Sequence, residues 1–252
     1  MIIPLKKRLS HIKQLVLNVN LRDIFCFDSF YVDKSLAEKS NAETLQILQL
    51  FSTSLELQQN MLWGKSQSGK THLLQACCSK NSEKNYSVSY IPLKIFKQYG
   101  VEVLTGLSHS QLIVIDDIDE IIGDKKWETA LFNLINQTRD NSQRLLMAST
   151  DNPRRISCVL PDLASRLIWG GVYQLHILSD ENKPKALQLR AKQRGFELPD
   201  KVIEYLYRRY PRDISSLMNI LDILDKESLR EKTKITIPFV KEALYQNDAN
   251  KA

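Results

Sequence analysis

The stretch at residues 64–71 constrains the fold of this 252-residue chain more than any other feature. It reads GKSQSGKT and fits the pattern G-x-x-x-x-G-K-[ST]. The short apolar run Met61–Trp63, typical of a buried strand, precedes it, and an apolar helix is predicted from Leu73 onward. A glycine-rich loop between a strand and a helix is the Walker A motif, whose backbone amides face phosphate groups. The stretch therefore predicts a nucleotide-binding domain, with a chance turn rich in Gly and Ser as the alternative.

Four positions of this loop have distinct chemical tasks. Gly64 and Gly69 let the backbone fold back so that its amides point at the phosphates. Lys70 places a positive charge near the β- and γ-phosphates, and Thr71 offers its hydroxyl to Mg²⁺.

A second motif ends the aliphatic run Gln111–Ile115. Asp116 and Asp117 follow that run directly, about 45 residues after the Walker A loop. A Walker B acid at such a position holds Mg²⁺, here Asp116, and a neighbouring acid, here Asp117, polarises the attacking water. The alternative is that the two carboxylates cap the next helix.

Strands and helices are predicted to alternate over the first part of the chain. The candidate strands are Met61–Trp63, Tyr86–Ile91, Gln111–Ile115, Leu145–Ala148 and Val172–Leu175. Between the third and fourth, apolar residues recur at helical spacing and predict a helix with one buried stripe, at Trp127, Leu131, Leu134, Ile135 and Thr138. Such alternation predicts an α/β fold, a parallel sheet covered on both faces with ligands at the carboxyl ends of its strands.

The pattern changes near Ser179, where strand signals stop. The predicted helices beyond it are Lys183–Arg194, Asp200–Tyr210, Asp213–Asp225 and Pro238–Tyr245. We therefore predict three segments: a flexible arm over 1–24, an α/β nucleotide-binding domain over 25–178 and a small helical bundle over 179–252.

Composition excludes several classes of protein. The formal net charge is +6, but Lys and Arg are scattered, so basicity alone is weak evidence for nucleic-acid binding. The four cysteines lack CxxC spacing and are expected to be reduced core thiols, and the three tryptophans are expected to be core anchors. No apolar run near the N-terminus is long enough for a signal peptide or membrane span, so we expect no membrane association and a cytoplasmic protein.

Three further positions could contact a nucleotide. Asp151 follows the fourth strand and could orient water near the γ-phosphate, although a simple turn before Pro153 is the alternative. Arg166, on a short predicted helix, could be an arginine finger that reaches a neighbouring subunit, and Arg212 could reach the nucleotide from the bundle. For both arginines the alternative is a solvated surface residue, and spacing alone does not decide.

With these motifs, the chain from about Gln14 to Leu244 resembles the AAA+ family. Within it, the chain is similar to DnaA-related proteins, most of all those of the Hda type. Besides the Walker motifs, the segments that carry the resemblance are FDSF at 27–30, LPDLASRLIWG at 160–170, LRAKQRGFELP at 189–199 and ITIPFVKEAL at 235–244.

The resemblance implies roles for individual residues and an AAA+ P-loop domain followed by a helical lid. Arg166 falls on the arginine finger, Asp151 on sensor 1 and Arg212 on sensor 2. Phe27 and Phe30 fall in the segment that flanks the nucleotide base.

The resemblance also implies partners and a function. Such proteins bind ADP or ATP with Mg²⁺, associate with the DNA-loaded sliding clamp, the β subunit of DNA polymerase III, and promote hydrolysis of the ATP held by DnaA. They thereby prevent repeated initiation, and the chain is expected to activate its partner rather than to be an enzyme itself. DNA would be contacted indirectly through the clamp, and a homo-oligomer is expected. DnaA has a helix-turn-helix domain beyond the lid, whereas this chain ends soon after its last predicted helix, so we expect no sequence-specific DNA binding.

A clamp-binding peptide is expected in the arm. Residues 14–19 read QLVLNV where the family peptide resembles QLSLPL, so Gln14, Leu15 and Leu17 would be its anchors. Asn18 stands where the family has Pro, a departure that leaves an unstructured tail as the alternative.

Another class of function remains open. Hda-type proteins often have a degraded Walker A motif, whereas here it is complete. A helicase-loader-like or remodelling ATPase, acting by its own ATP hydrolysis, is therefore the alternative. A small-molecule kinase fits less well, because the bundle offers no evident acceptor pocket.

Overall fold

The computed structural model describes residues 25–33, 41–54 and 58–249. The predicted arm, with the candidate clamp contacts Gln14, Leu15 and Leu17, lies outside the described residues. No described helix is both long enough and apolar enough to span a bilayer.

Five parallel strands form one sheet in the order β2-β3-β4-β1-β5. Their bounds are β1 Gln59–Trp63, β2 Val88–Pro92, β3 Leu112–Asp116, β4 Arg144–Ser149 and β5 Gly171–Gln174. The predicted α/β class is confirmed. Because β4 lies between β1 and β3, the strands that carry the two Walker motifs are separated by the strand that ends near Asp151.

Helices cover both faces of this sheet, as predicted for a parallel sheet. Within the first 177 residues they are α1 Ala42–Phe51, α2 Lys70–Ser82, α3 Leu93–Phe96, α4 Lys125–Asp140 and α5 Pro161–Leu167. Alternate strand residues enter two separate cores: Met61 packs with Leu131 of α4, whereas the next residue, Leu62, packs with Leu73 of α2. The predicted stripe of α4, from Trp127 to Thr138, is buried in full.

The chain divides into two compact units, 1–177 and 178–252. The second consists of helices α6 Lys183–Gln193, α7 Asp200–Arg209, α8 Ile214–Glu231 and α9 Ile237–Ala249. Its own core includes Leu187, Leu206, Leu221 and Leu224. Helix α8 is longer than predicted: it continues past Asp225 to Glu231, and Ser228 in the added turns is buried.

Two expectations about burial were wrong. Cys77 and Cys78 are fully buried as expected, but Cys26 and Cys158 are only half-buried. Trp127 lies in the core, whereas Trp169 follows α5 at the surface and is 41% exposed.

Candidate nucleotide-binding site

The carboxyl ends of β1 and β4 meet beside the Walker A loop. Trp63 of β1 is in register with Ser149 of β4, and the Gly64 amide donates a hydrogen bond of 3.2 Å to the Ser149 carbonyl. The loop that follows β1 therefore begins next to the turn that follows β4.

Both glycines of the Walker A pattern, Gly64 and Gly69, are required by the backbone geometry. A Cβ atom on Gly64 would lie 2.3 Å from the carbonyl oxygen of Leu175. Gly69 has a φ of +94°, in the left-handed region, and a Cβ there would lie 2.6 Å from Cε2 of Phe30. The loop thus follows a backbone path that larger residues would block.

Lys70 begins α2 and folds back over the loop. Its Nζ donates to the carbonyl oxygens of Gly64, at 2.6 Å, and Lys65, at 3.3 Å. Burial lowers the pKa of Lys70 below its usual range, and Asp116 is the largest of the nearby charges that oppose this change. An ammonium group held on loop carbonyls beside carboxylates is placed to meet phosphate oxygens.

The residues predicted to hold Mg²⁺ are in direct contact. Thr71 Oγ1 donates to Asp116 Oδ2 at 2.7 Å, and Tyr90 donates its hydroxyl to the same oxygen at 3.0 Å. The amide of Asp117 donates to Asp116 Oδ1 at 3.0 Å. One carboxylate and one hydroxyl fit Mg²⁺, which takes few protein ligands and completes its shell with phosphate oxygens and water. No cluster of three or more His, Cys, Asp or Glu side chains able to hold a metal occurs in the described part of the chain.

Asp117 shares a cleft with these two ligands. Thr71, Asp116 and Asp117 line a cleft of about 390 Å³. Asp117 has a φ of +57°, and burial followed by the charge of Asp116 raises the pKa of its carboxyl. A carboxyl group whose pKa is raised is suited to accept a proton from water.

Asp119 is a site residue that the sequence reasoning missed. Its carboxylate accepts the amides of Thr150, at 2.6 Å, and Asp151, at 3.3 Å. It therefore ties the turn after β4 to the segment after β3, while the side chain of Asp151 is exposed. An acid shortly after a Walker B strand was the available signal, but only the strand order shows which turn it meets.

The segment before α1 packs against the start of α2. Phe30 contacts Gly69, and the rings of Phe25 and Phe30 lie 5.2 and 5.4 Å from the His72 ring in edge-to-face geometry. Phe27 instead lies in the core. Of the two phenylalanines assigned by resemblance, only Phe30 lies against the loop.

Arg166 lies on α5 and contacts α4 rather than the loop. Its Nε donates to Asn136 Oδ1 at 3.1 Å, and its guanidinium carbon lies 5.5 Å from the ring centroid of Phe132 and 3.8 Å from that of Trp169. Among the described residues, its guanidinium makes no hydrogen bond to residues 64–71. The side chain is half-buried.

Arg212 belongs to the second unit. It is exposed, its Nε donates to the carbonyl oxygen of Tyr207 at 3.2 Å, and its guanidinium carbon lies 6.0 Å from the Tyr207 ring centroid.

A Walker A loop, a Walker B strand and a third strand between them define a P-loop nucleotide-binding protein of the AAA+ class. The comparisons then specify the family. Residues 21–174 match the bacterial DnaA ATPase domain, and residues 180–244 match the lid domain of Hda. The chain belongs to the DnaA-related AAA+ family and is close to Hda.

The chain is also similar in sequence to a bacterial protein and in fold to solved DnaA structures. An uncharacterized protein of Haemophilus influenzae is 40% identical over 233 residues, which cover 92% of this chain and 98% of that protein. Domain III of DnaA from Thermotoga maritima has a similar fold, with a TM-score of 0.73 and 20% identity over 90% of this chain and 98% of that one. AMPPCP-bound DnaA from Aquifex aeolicus gives a TM-score of 0.66 and 18% identity over 92% of this chain and 71% of that one.

Proposed function

We propose that this chain regulates chromosome replication by promoting hydrolysis of the ATP bound to DnaA, and so prevents re-initiation. In this proposal it acts together with the DNA-loaded sliding clamp and supplies Arg166 in trans. One observation carries the proposal: in a chain with a DnaA-type ATPase domain and an Hda-type lid, Arg166 is half-buried on α5 and directed away from the chain's own Walker A loop. Its terminal nitrogens have no hydrogen-bond partner among the described residues.

The chain itself would hold ADP or ATP with Mg²⁺. The amides of residues 64–71 and the Lys70 ammonium would bind the phosphates, and Thr71 and Asp116 would hold the metal. Phe30 would lie near the base, with Arg212 as the sensor 2 residue and Asp151 as the sensor 1 residue. The AMPPCP bound to DnaA relatives supports a nucleotide at this position.

Arg166 would act on a nucleotide that the partner holds. A guanidinium group offers two parallel N–H donors to phosphate oxygens and keeps its charge at every physiological pH. When placed against the γ-phosphate, it stabilises the negative charge that develops in the transition state, an effect on the order of 10³ to 10⁵ in rate. The chemistry would then occur in the active site of DnaA, where the chain contributes one cation.

The clamp would be bound through Gln14, Leu15 and Leu17, and DNA only through the clamp. We propose that the chain works in the cytoplasm and associates with itself, as its family resemblance implies.

The test is ATP hydrolysis by purified DnaA with this protein, ADP, sliding clamp and primed DNA, with each component omitted in turn. We expect stimulation that requires both clamp and DNA. Arg166→Ala should reduce it by at least about 100-fold with ADP binding unchanged, because the cation acts only in the transition state. Gln14→Ala with Leu15→Ala should abolish the stimulation, because the contact with the clamp is lost.

The control is Arg209→Ala, which removes an exposed arginine of α7 and should leave stimulation unchanged. Unchanged stimulation by the Arg166→Ala protein would contradict the proposed role.

The assembled Thr71–Asp116 pair favours a second candidate, a remodelling or helicase-loader-like ATPase. Rapid hydrolysis by this protein alone, indifferent to DnaA and clamp, would establish that candidate instead.

A further inference from the structure

Two arginine side chains contact the indole ring of Trp169. The guanidinium carbon of Arg166 lies 3.8 Å from its ring centroid, and that of Arg139 lies 4.0 Å from it. Arg139 comes from α4 and Arg166 from α5, so the indole joins the two helices where they reach the surface. The Trp169 side chain is nevertheless 41% exposed.

This arrangement is not explained by burial or by ion pairing. A large aromatic ring gains most by leaving water, and Trp169 does so only in part. The two guanidinium groups repel one another, and no carboxylate of the described residues forms an ion pair with either of them. What holds them together is attraction to the ring face, which favours stacked arginine.

Two contacts restrain the Arg166 guanidinium. Its guanidinium carbon lies over the Trp169 ring, and Asn136 accepts a hydrogen bond from Nε at 3.1 Å. The two terminal nitrogens then remain as the edge with which arginine binds a phosphate. An arginine that is ordered before it meets its ligand loses less conformational entropy on binding, and a preordered cation is more effective in a transition state.

We propose that Trp169 is the positioning residue for Arg166, holding its guanidinium ready for the phosphates of the partner's nucleotide. This inference rests on the proposed function, in which Arg166 acts in trans. Trp169 itself contacts no reacting atom in this proposal.

The test compares Trp169→Ala, Trp169→Leu and Trp169→Phe in the DnaA hydrolysis assay with clamp and primed DNA. We expect Ala and Leu to lower the maximal stimulated rate about tenfold, while the concentration of this protein needed for half-maximal stimulation changes less than about threefold. Phe restores a ring face and should recover most of the rate, whereas Leu is apolar but has no such face. A ring that served only as an apolar contact with DnaA would instead change the half-maximal concentration.

Two further variants separate the possible failures. In an Arg166→Ala background, Trp169→Ala should cause no additional loss, because a residue that acts only through Arg166 has nothing left to position. Arg139→Ala should keep the stimulated rate within about threefold, since the Arg166 stack remains. If Arg139→Ala costs as much as Trp169→Ala, surface charge rather than positioning explains the effect and the inference is wrong. If Arg166→Ala abolishes stimulation but Trp169→Ala does not, the inference alone fails; if Arg166→Ala has no effect, the proposed function fails.

Discussion

Lys70 shows how one side chain is prepared for a ligand before the ligand arrives. Its ammonium caps two carbonyl oxygens of its own loop, and it is buried beside acidic residues. Phosphate oxygens would offer this cation stronger, charged acceptors than the carbonyls do. The loop contains a second lysine, Lys65, which is exposed, so the two positions form a natural matched pair.

Lys70→Ala should weaken ADP binding at least about tenfold, because a charge-assisted contact to the phosphates is lost inside a partly desolvated loop. Isothermal titration with MgADP measures this directly. Lys65→Ala removes the same charge from an exposed position and should change the affinity less than about twofold. Equal losses in the two variants would mean that the loop attracts phosphate through its overall charge and not through Lys70.

At the scale of secondary-structure elements, a buried glutamate of α4 connects this helix to the start of α5. Glu128 of α4 is fully buried, and its carboxylate accepts the amides of Gly123 at 2.7 Å and Leu160 at 2.6 Å. The first amide precedes α4, and the second precedes α5, the helix that carries Arg166. One side chain thus sets where α5 begins relative to α4.

Glu128→Ala should lower the free energy of unfolding by about 2–4 kcal/mol, since two amides lose their acceptor and a cavity remains. Urea denaturation followed by circular dichroism provides the value. The control is Asn133→Ala, on the same helix but exposed, which should change stability by less than about 0.5 kcal/mol. A Glu128→Ala protein as stable as the wild type would show that water replaces the carboxylate at no cost.

Over the whole molecule, each unit has a core of its own. The first unit has one core on each face of its sheet, and the second is built around apolar residues contributed by α6 to α9. A unit with a separate core is expected to fold without the rest of the chain.

A fragment spanning residues 178–252 should therefore be helical and should unfold cooperatively when heated, as followed by circular dichroism. Leu224 is fully buried, so Leu224→Ala should cost about 2–5 kcal/mol and leave a unit of this size largely unfolded. Leu229, on the same helix, is 71% exposed, and Leu229→Ala should leave the transition in place. A fragment without a cooperative transition would mean that the second unit depends on the first.

Most of the local structure followed from the sequence because it depends on neighbours along the chain. The spacing of apolar residues predicted α4 and its buried stripe, and the aliphatic run before Asp116 predicted a central strand. Helix α8 extended beyond its prediction to Glu231; its added turns have a buried serine, Ser228, and an ion pair of Glu227 with Arg230 in place of an apolar stripe.

The sequence by itself determined the Walker A pattern and the α/β class, and it named Thr71 and Asp116 as ligands of one Mg²⁺ ion, two residues that the structure then shows in contact. Glycines and a lysine directly after one predicted strand, and acids directly after another, are compatible with few folds other than a P-loop domain. Only the tertiary structure decided that Asp119 accepts a hydrogen bond from the turn at Asp151 and that Glu128 binds the amide before α5. It also decided that Trp169 lies outside the core, in contact with two arginine side chains. The reason is physical: these contacts join segments that are distant in sequence, and which segments meet is set by strand order and helix packing, which no local pattern encodes.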